Sequence, residues 1–196
     1  QNGSYGYAGL ADFYSIDLDQ DGDIDIIHTV SSVHTEFSSS ILGIRWLEND
    51  GSQNFTNFTI LSNVAFNRGI EAVDIDNDGD IDIVGCENDN GAGKLHLFKN
   101  DGSENFTQII IDNNIPSQTR SVEALDYDLD GDIDLIVGDK ISFYENDGSE
   151  SFTKRIISED YKAQEGYMTV ADMDNDGQFD AVGTYNNAIA YFKTYA

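Results

Sequence analysis

Cysteine and proline are almost missing from this chain: Cys86 and Pro116 stand alone among 196 residues. A single cysteine excludes an intramolecular disulfide, so no covalent staple holds the fold. A single proline leaves nearly every backbone N–H free to donate, which suits a chain made mostly of strands. Basic residues are scarce as well, with 10 Lys and Arg against 37 Asp and Glu and a formal net charge of -27. A surface of that sign repels nucleic-acid phosphates and anionic lipid, and neither is expected as a partner. No apolar run approaches the ~18 residues of a membrane-spanning helix, so membrane insertion is not expected either. The sequence opens at Gln1 without a leader peptide, as a processed secreted chain would. Together these features create the expectation of a secreted or cell-surface protein stapled by something other than sulfur.

The abundant residue is aspartate, and it is arranged. DLDQDGDID begins at Asp17, DIDNDGDID at Asp74, DYDLDGDID at Asp126 and DMDNDGQFD at Asp172. Counted from the first Asp of each loop, carboxylates fall at positions 1, 3, 5 and 9 and glycine at position 6. The first loop offers Asp17, Asp19, Asp21 and Asp25, and the second Asp74, Asp76, Asp78 and Asp82. The third offers Asp126, Asp128, Asp130 and Asp134, and the fourth Asp172, Asp174, Asp176 and Asp180. Alternate residues of a tight loop point at one centre, and a cluster of hard oxygens suits Ca²⁺. Gly22, Gly79, Gly131 and Gly177 allow the turn. Position 7 (Asp23, Asp80, Asp132 and Gln178) is expected to contribute its backbone carbonyl, which leaves the side chain free to vary. About four Ca²⁺ per chain are therefore expected. An EF-hand is excluded, because it needs a bidentate Glu at position 12, where this chain has His28, Gly85, Val137 and Gly183. The flanking runs are short and β-rich rather than helical.

The loops start at 17, 74, 126 and 172, which sets a repeat of about fifty residues. Each unit reads as four strands joined by hairpins. In the second, IEAVDID leads into the loop, IDIVGC leaves it, KLHLFKN follows, and FTQIII comes after a turn at DGSEN. The turn recurs as NDGS at Asn49, Asn100 and Asn146, and Asn-Asp-Gly is hairpin chemistry rather than a second metal site. Phe55, Phe106 and Phe152 recur just after it and are expected in the core. The architecture expected is an all-β propeller of four four-stranded antiparallel blades, a single domain over 1–196. The units run approximately over 9–61, 66–111, 118–157 and 164–196. The fourth unit lacks its last strand, which residues 1–8 are placed to supply. A closed four-bladed ring is the preferred form, and an open fragment of a larger propeller is the alternative.

A D-x-D-x-D-G-x-x-D loop between strands of a four-stranded unit resembles the FG-GAP/VCBS repeat family, known from integrin α-subunit propellers and many secreted bacterial proteins. The resemblance covers essentially the whole chain. The Phe-Gly and Gly-Ala-Pro signatures that named the family are absent, which places this sequence nearer the bacterial VCBS type. The resemblance implies calcium ligands at loop positions 1, 3, 5 and 9, on the sixteen aspartates named above. Family propellers often have seven blades, so ring size stays open.

Function is expected on the less repetitive face, at 29–41, 86–93, 138–140 and 184–188 and the blade connections 62–68, 112–119 and 158–166, since variation on a rigid scaffold is where binding sits. Arg68 with Glu71, and Arg120 with Glu123, read as structural ion pairs near a central opening. His28, His34 and His96 lie in different units with no nucleophile motif. Trp46, Tyr5, Tyr7, Tyr14 and Tyr185 read as packing residues rather than a sugar platform. Asn2, Asn54, Asn57 and Asn105 stand in glycosylation sequons, of which the N-F-T instances read as strand entry. The leading reading is a calcium-stabilised, non-catalytic adhesion or binding module for extracellular carbohydrate or protein. The alternatives are a polysaccharide lyase, and a structural subunit that self-assembles through its open last blade.

Overall fold

The computed structural model describes residues 10–30, 42–64, 66–87, 92–116, 119–138, 141–158, 168–185 and 188–192. These residues form four antiparallel sheets in chain order and no helix. The first holds β1 (Leu10–Ile16), β2 (Asp25–Val30), β3 (Gly43–Asn49) and β4 (Phe55–Ser62). The second holds β5 (Phe66–Val73), β6 (Asp82–Glu87), β7 (Ala92–Asn100) and β8 (Phe106–Pro116). The third holds β9 (Val122–Leu125), β10 (Asp134–Val137), β11 (Ser142–Asn146) and β12 (Phe152–Ile156). The fourth holds β13 (Met168–Ala171), β14 (Asp180–Tyr185) and β15 (Ala188–Phe192). Every sheet is a meander in which each strand pairs with the next, so the four sequence units are the four blades of a propeller fold.

The core lies between blades. Side chains alternate across a strand, so a central strand needs apolar residues on both faces. Strands β6 and β10 meet that need: Ile83 faces the first blade and Val84 the third, while Leu135 faces the second and Ile136 the fourth. Trp46, Ile27 and Ile44 pack on Phe66, Ile70 and Phe98 at the first junction, and Leu95 and Leu97 pack on Val122 and Tyr144 at the second. The outer strands β4 and β12 are largely exposed. The inner strands stand side by side in sequence order, β1 beside β5, β5 beside β9 and β9 beside β13.

Two expectations need correction, and a third stays open. The fourth blade has three strands among the described residues, in line with a unit whose sequence lacks its last strand, and residues 1–8, expected to complete it, lie outside them. The preferred closed ring is not formed among the described residues: β13 packs on β9 without a comparable approach to β1, so the blades form an open arc. Phe55 is not core, being 47% exposed. The reason is positional. Phe106 and Phe152 each pack into the cluster shared with the preceding blade, and the first blade has no described predecessor. Phe13 repeats the pattern. Its counterparts four residues ahead of the later loops, Ile70, Val122 and Met168, are buried, whereas Phe13 is 70% exposed.

Candidate metal centres

Each Asp-rich loop joins the first and second strands of its blade, and one hydrogen-bond scheme shapes all four. The carboxylate at position 1 folds back onto the N–H of the position-6 glycine: Gly22, Gly79, Gly131 and Gly177 donate to Asp17, Asp74, Asp126 and Asp172 at 3.0–3.1 Å. The carboxylate at position 5 accepts the N–H of position 7, as from Asp23 to Asp21 at 2.9 Å and Gln178 to Asp176 at 3.0 Å. The turn needs two left-handed residues. The glycines supply one, at φ 87–102°, and position 4 supplies the other: Gln20, Asn77, Leu129 and Asn175 lie at φ 58–64°.

Position 9 does two things. Asp25, Asp82, Asp134 and Asp180 are at most 1% exposed. Their Oδ2 atoms accept the N–H of position 2, from Leu18, Ile75, Tyr127 and Met173 at 3.1–3.2 Å. In the first three blades Oδ1 accepts the N–H of the last residue of the third strand, Asn49, Asn100 or Asn146, at 2.8 Å. The aspartate thereby ties the loop to the hairpin beside it. Burial pushes Asp82 up to about 7 and Asp134 up to about 6, against the lowering effect of those N–H donors.

The loops bring ligand atoms together in threes. Carboxylate oxygens of Asp17, Asp19 and Asp21 lie within 4.8 Å of one another, as do those of Asp74, Asp76 and Asp78. In the later blades the sets are Asp126, Asp128 and Asp134, and Asp172, Asp174 and Asp180. Positions 1 and 3 therefore converge everywhere, joined by position 5 in two loops and position 9 in the other two. The donors fit calcium chemically, being hard oxygens only. The Oδ1 atoms of Asp17 and Asp126 are buried with no hydrogen-bond partner, a costly state for an anion unless a cation meets it.

Position 7 meets the hairpin beside its loop. A Cβ added at Gly51, Gly102 or Gly148 of the NDGS turns would stand 2.3, 2.5 or 2.7 Å from Oδ2 of Asp23, Asp80 or Asp132. The position-7 carboxylate thus lies against the turn glycine in these blades, and Gln178 occurs in the unit whose sequence has no NDGS. The turn carboxylates are spoken for: Asp50 and Asp101 accept from N–H groups two and four residues on and from the Asn54 and Asn105 amides. These bonds hold both carboxyls below their ordinary range, in keeping with a turn rather than a second metal site. They also occupy the amide nitrogens of two of the sequons.

Several other candidates resolve. His96 is 1% exposed between Glu87, at 2.7 Å, and Gln108, at 2.9 Å, and burial depresses its pKa against the pull of Glu87. Burial and then the Arg45 charge depress His28. Trp46 is buried and stacks on Phe58. Tyr14, Glu71 and Glu123, three residues ahead of their loops, are neighbours on the inner strands. Burial, opposed by the Tyr14 hydroxyl and reinforced by Glu123 and Asp12, pushes Glu71 up to about 7. The side chains of Arg68 and Tyr185, and Tyr5, Tyr7, His34 and Asn2, lie outside what is described. Most of the irregular face does too.

Sequence reading missed Lys99. Its ammonium contacts the Asp76 carboxylate and reaches Glu150 of the third blade at 2.5 Å. Burial raises Asp76, but Lys99 outweighs it and holds the carboxyl low. The only local signal was a Lys where neighbouring units have Glu.

Blades with an oxygen-lined loop between their first two strands define a class, the acidic-loop repeat propellers. Within it, the profile of the FG-GAP-like repeat matches residues 17–85 and again 74–137. The chain belongs to the FG-GAP-like repeat family. No curated protein matches it by sequence. Among solved structures, the chain is similar to a lectin from Agrocybe aegerita, described by its specific recognition of non-reducing terminal N-acetylglucosamine. The TM-score is 0.60 at 20% identity, over 91% of this chain and 48% of the lectin. The chain spans about half the length of that structure, and the likeness is one of fold.

Proposed function

We propose that the protein is a calcium-stabilised, non-catalytic binding module that works outside the cell and recognises a carbohydrate or a protein surface. The observation that carries the metal reading is the convergence of carboxylates at one end of every blade, with Asp17 and Asp126 each keeping a buried, unbonded oxygen. Positions 1, 3, 5 and 9 would hold the ion in each loop, sixteen aspartates in all, with the carbonyl of position 7. Bound calcium would offset the mutual repulsion of these carboxylates. Asp25, Asp82, Asp134 and Asp180 position the loop through their backbone bonds, and the ligand would be met on the opposite, less repetitive face. Carbohydrate is favoured over protein by the N-acetylglucosamine recognition of the Agrocybe aegerita lectin, to whose fold the chain is similar. The non-catalytic reading is supported by the structural setting of His96, locked between two partners. A glycan array probed in calcium buffer and again in EGTA tests the reading. Binding to a defined set of glycans that is lost in EGTA is expected. Turnover of an anionic polysaccharide, seen as unsaturated product, would overturn it.

A further inference from the structure

The loops share ligand positions, yet the residue just ahead of the Asn that Asp position 9 binds differs between blades: Glu48, Lys99 and Glu145. In the second blade, Lys99 sits on Asp76, which is loop position 3, and spans the junction to Glu150. In the first blade the same place holds Glu48, a carboxylate acted on by Asp19, Glu104, Asp25 and Asp21. In the third, Glu145 acts on Asp128 in the same sense and is paired with Arg155 of the adjacent strand. The matching residue of the fourth unit is Lys193, outside the described residues. One junction therefore gathers like charges beside its loop, and the next carries a cation that belongs to the protein.

We propose that Lys99 is an internal counter-ion: it makes the second loop a low-affinity calcium site beside tighter first and third sites, and it holds that loop and its junction together when calcium is withdrawn. The proposal rests on the calcium reading of the loops. A divalent ion in the second loop meets a positive side chain where the first loop offers a negative one. That swing of two unit charges at a few ångströms weakens binding by roughly 10- to 100-fold. The same ammonium meets the repulsion among Asp74, Asp76 and Asp78 in advance, so this loop depends less on metal for its shape than the first and third. Arg155, by sharing Glu145, sets the third site below the first.

Calcium titration calorimetry on the whole chain, with hydrogen exchange of residues 17–25, 74–82 and 126–134 in EGTA, tests this. The wild type is expected to show two classes of site. Lys99→Glu moves one site from the weak to the tight class, Lys99→Met tightens it less, and Glu48→Lys moves one site the other way. In EGTA, 74–82 exchanges more slowly than 17–25, and Lys99→Met removes the difference. Sites of uniform affinity in the wild type, or equal exchange of the loops in EGTA, would overturn the role of Lys99 while leaving calcium binding intact. A chain that takes up no calcium at millimolar concentration would overturn the metal reading itself.

Discussion

Two residues sit in surroundings that oppose their chemistry, and each gives a prediction. Glu71 is a carboxyl whose burial pushes it up to about 7, next to Tyr14, Glu123 and Asp12. Its folded pKa lies above the unfolded value, so the folded state holds the proton more tightly. Its contribution is greatest when the group is protonated and falls as pH rises through about 7. In the calcium-loaded protein, stability should decline from pH 5.5 to 8 through this group by an amount on the order of 1 kcal/mol after solvent screening. Glu71→Gln should flatten that slope and be the more stable form at pH 8, read from urea midpoints across the range. Leu129 is the other. It holds a left-handed turn at φ 64° with its side chain 63% exposed, so it bears backbone strain without burying much. Asn77 and Asn175 occupy the same position in other loops. Leu129→Asn should therefore stabilise by about 0.5–1 kcal/mol, since Asn tolerates this region, and a raised melting temperature at fixed calcium is the check.

At the scale of the loop and its hairpin, ligand and brace can be separated. Asp134 accepts two backbone N–H groups, from Tyr127 and Asn146, whereas Asp130 is exposed and accepts one, from Asp132. An Asn at 134 keeps the shape but turns an NH₂ group onto a backbone donor. Asp134→Asn should cost about 1–3 kcal/mol in EGTA as well as in calcium. Asp130→Asn keeps its acceptor oxygen and removes one repelling charge, so in EGTA it should be neutral or slightly stabilising and show a deficit only with calcium. Urea unfolding at pH 8 in both buffers distinguishes them. The strands and loops themselves were legible in sequence, because alternation, NDGS and the Asp spacing are all local. The second task of position 9 was not, because it depends on the register that brings Asn49, Asn100 and Asn146 beside the loop. The contact of Asp23, Asp80 and Asp132 with the turn glycines hid behind the variability at Gln178. Lys99 and Phe55 were illegible for a further reason: their surroundings come from a neighbouring blade, about fifty residues away in the chain.

Across the molecule, charge sets the terms of stability. The chain carries a formal net charge of -27, and nineteen of its carboxylates are crowded into four loops. Three inter-blade clusters hold the arc together, and the loops of neighbouring blades approach closely enough for the Gln20 amide to meet the Gly79 carbonyl. Repulsion within the loops would thus be felt at the junctions, and bound calcium would act on both. Four ions would bring the net charge to about -19 and place each positive charge among the carboxylates that repel most. Removing them should lower the melting temperature by about 10 °C or more, because each site lost withdraws binding free energy from the folded state. Monovalent salt then separates charge from coordination. Raising sodium chloride from 0.05 to 1 M shortens the screening length from more than 10 Å to about 3 Å. That relieves general repulsion but supplies no ligand shell. The EGTA-treated protein should regain part of the lost melting temperature and the calcium-loaded protein should change little. Full recovery in sodium chloride alone would mean that the loops need screening and not a bound ion, and a melting temperature unmoved by EGTA would mean that they need neither.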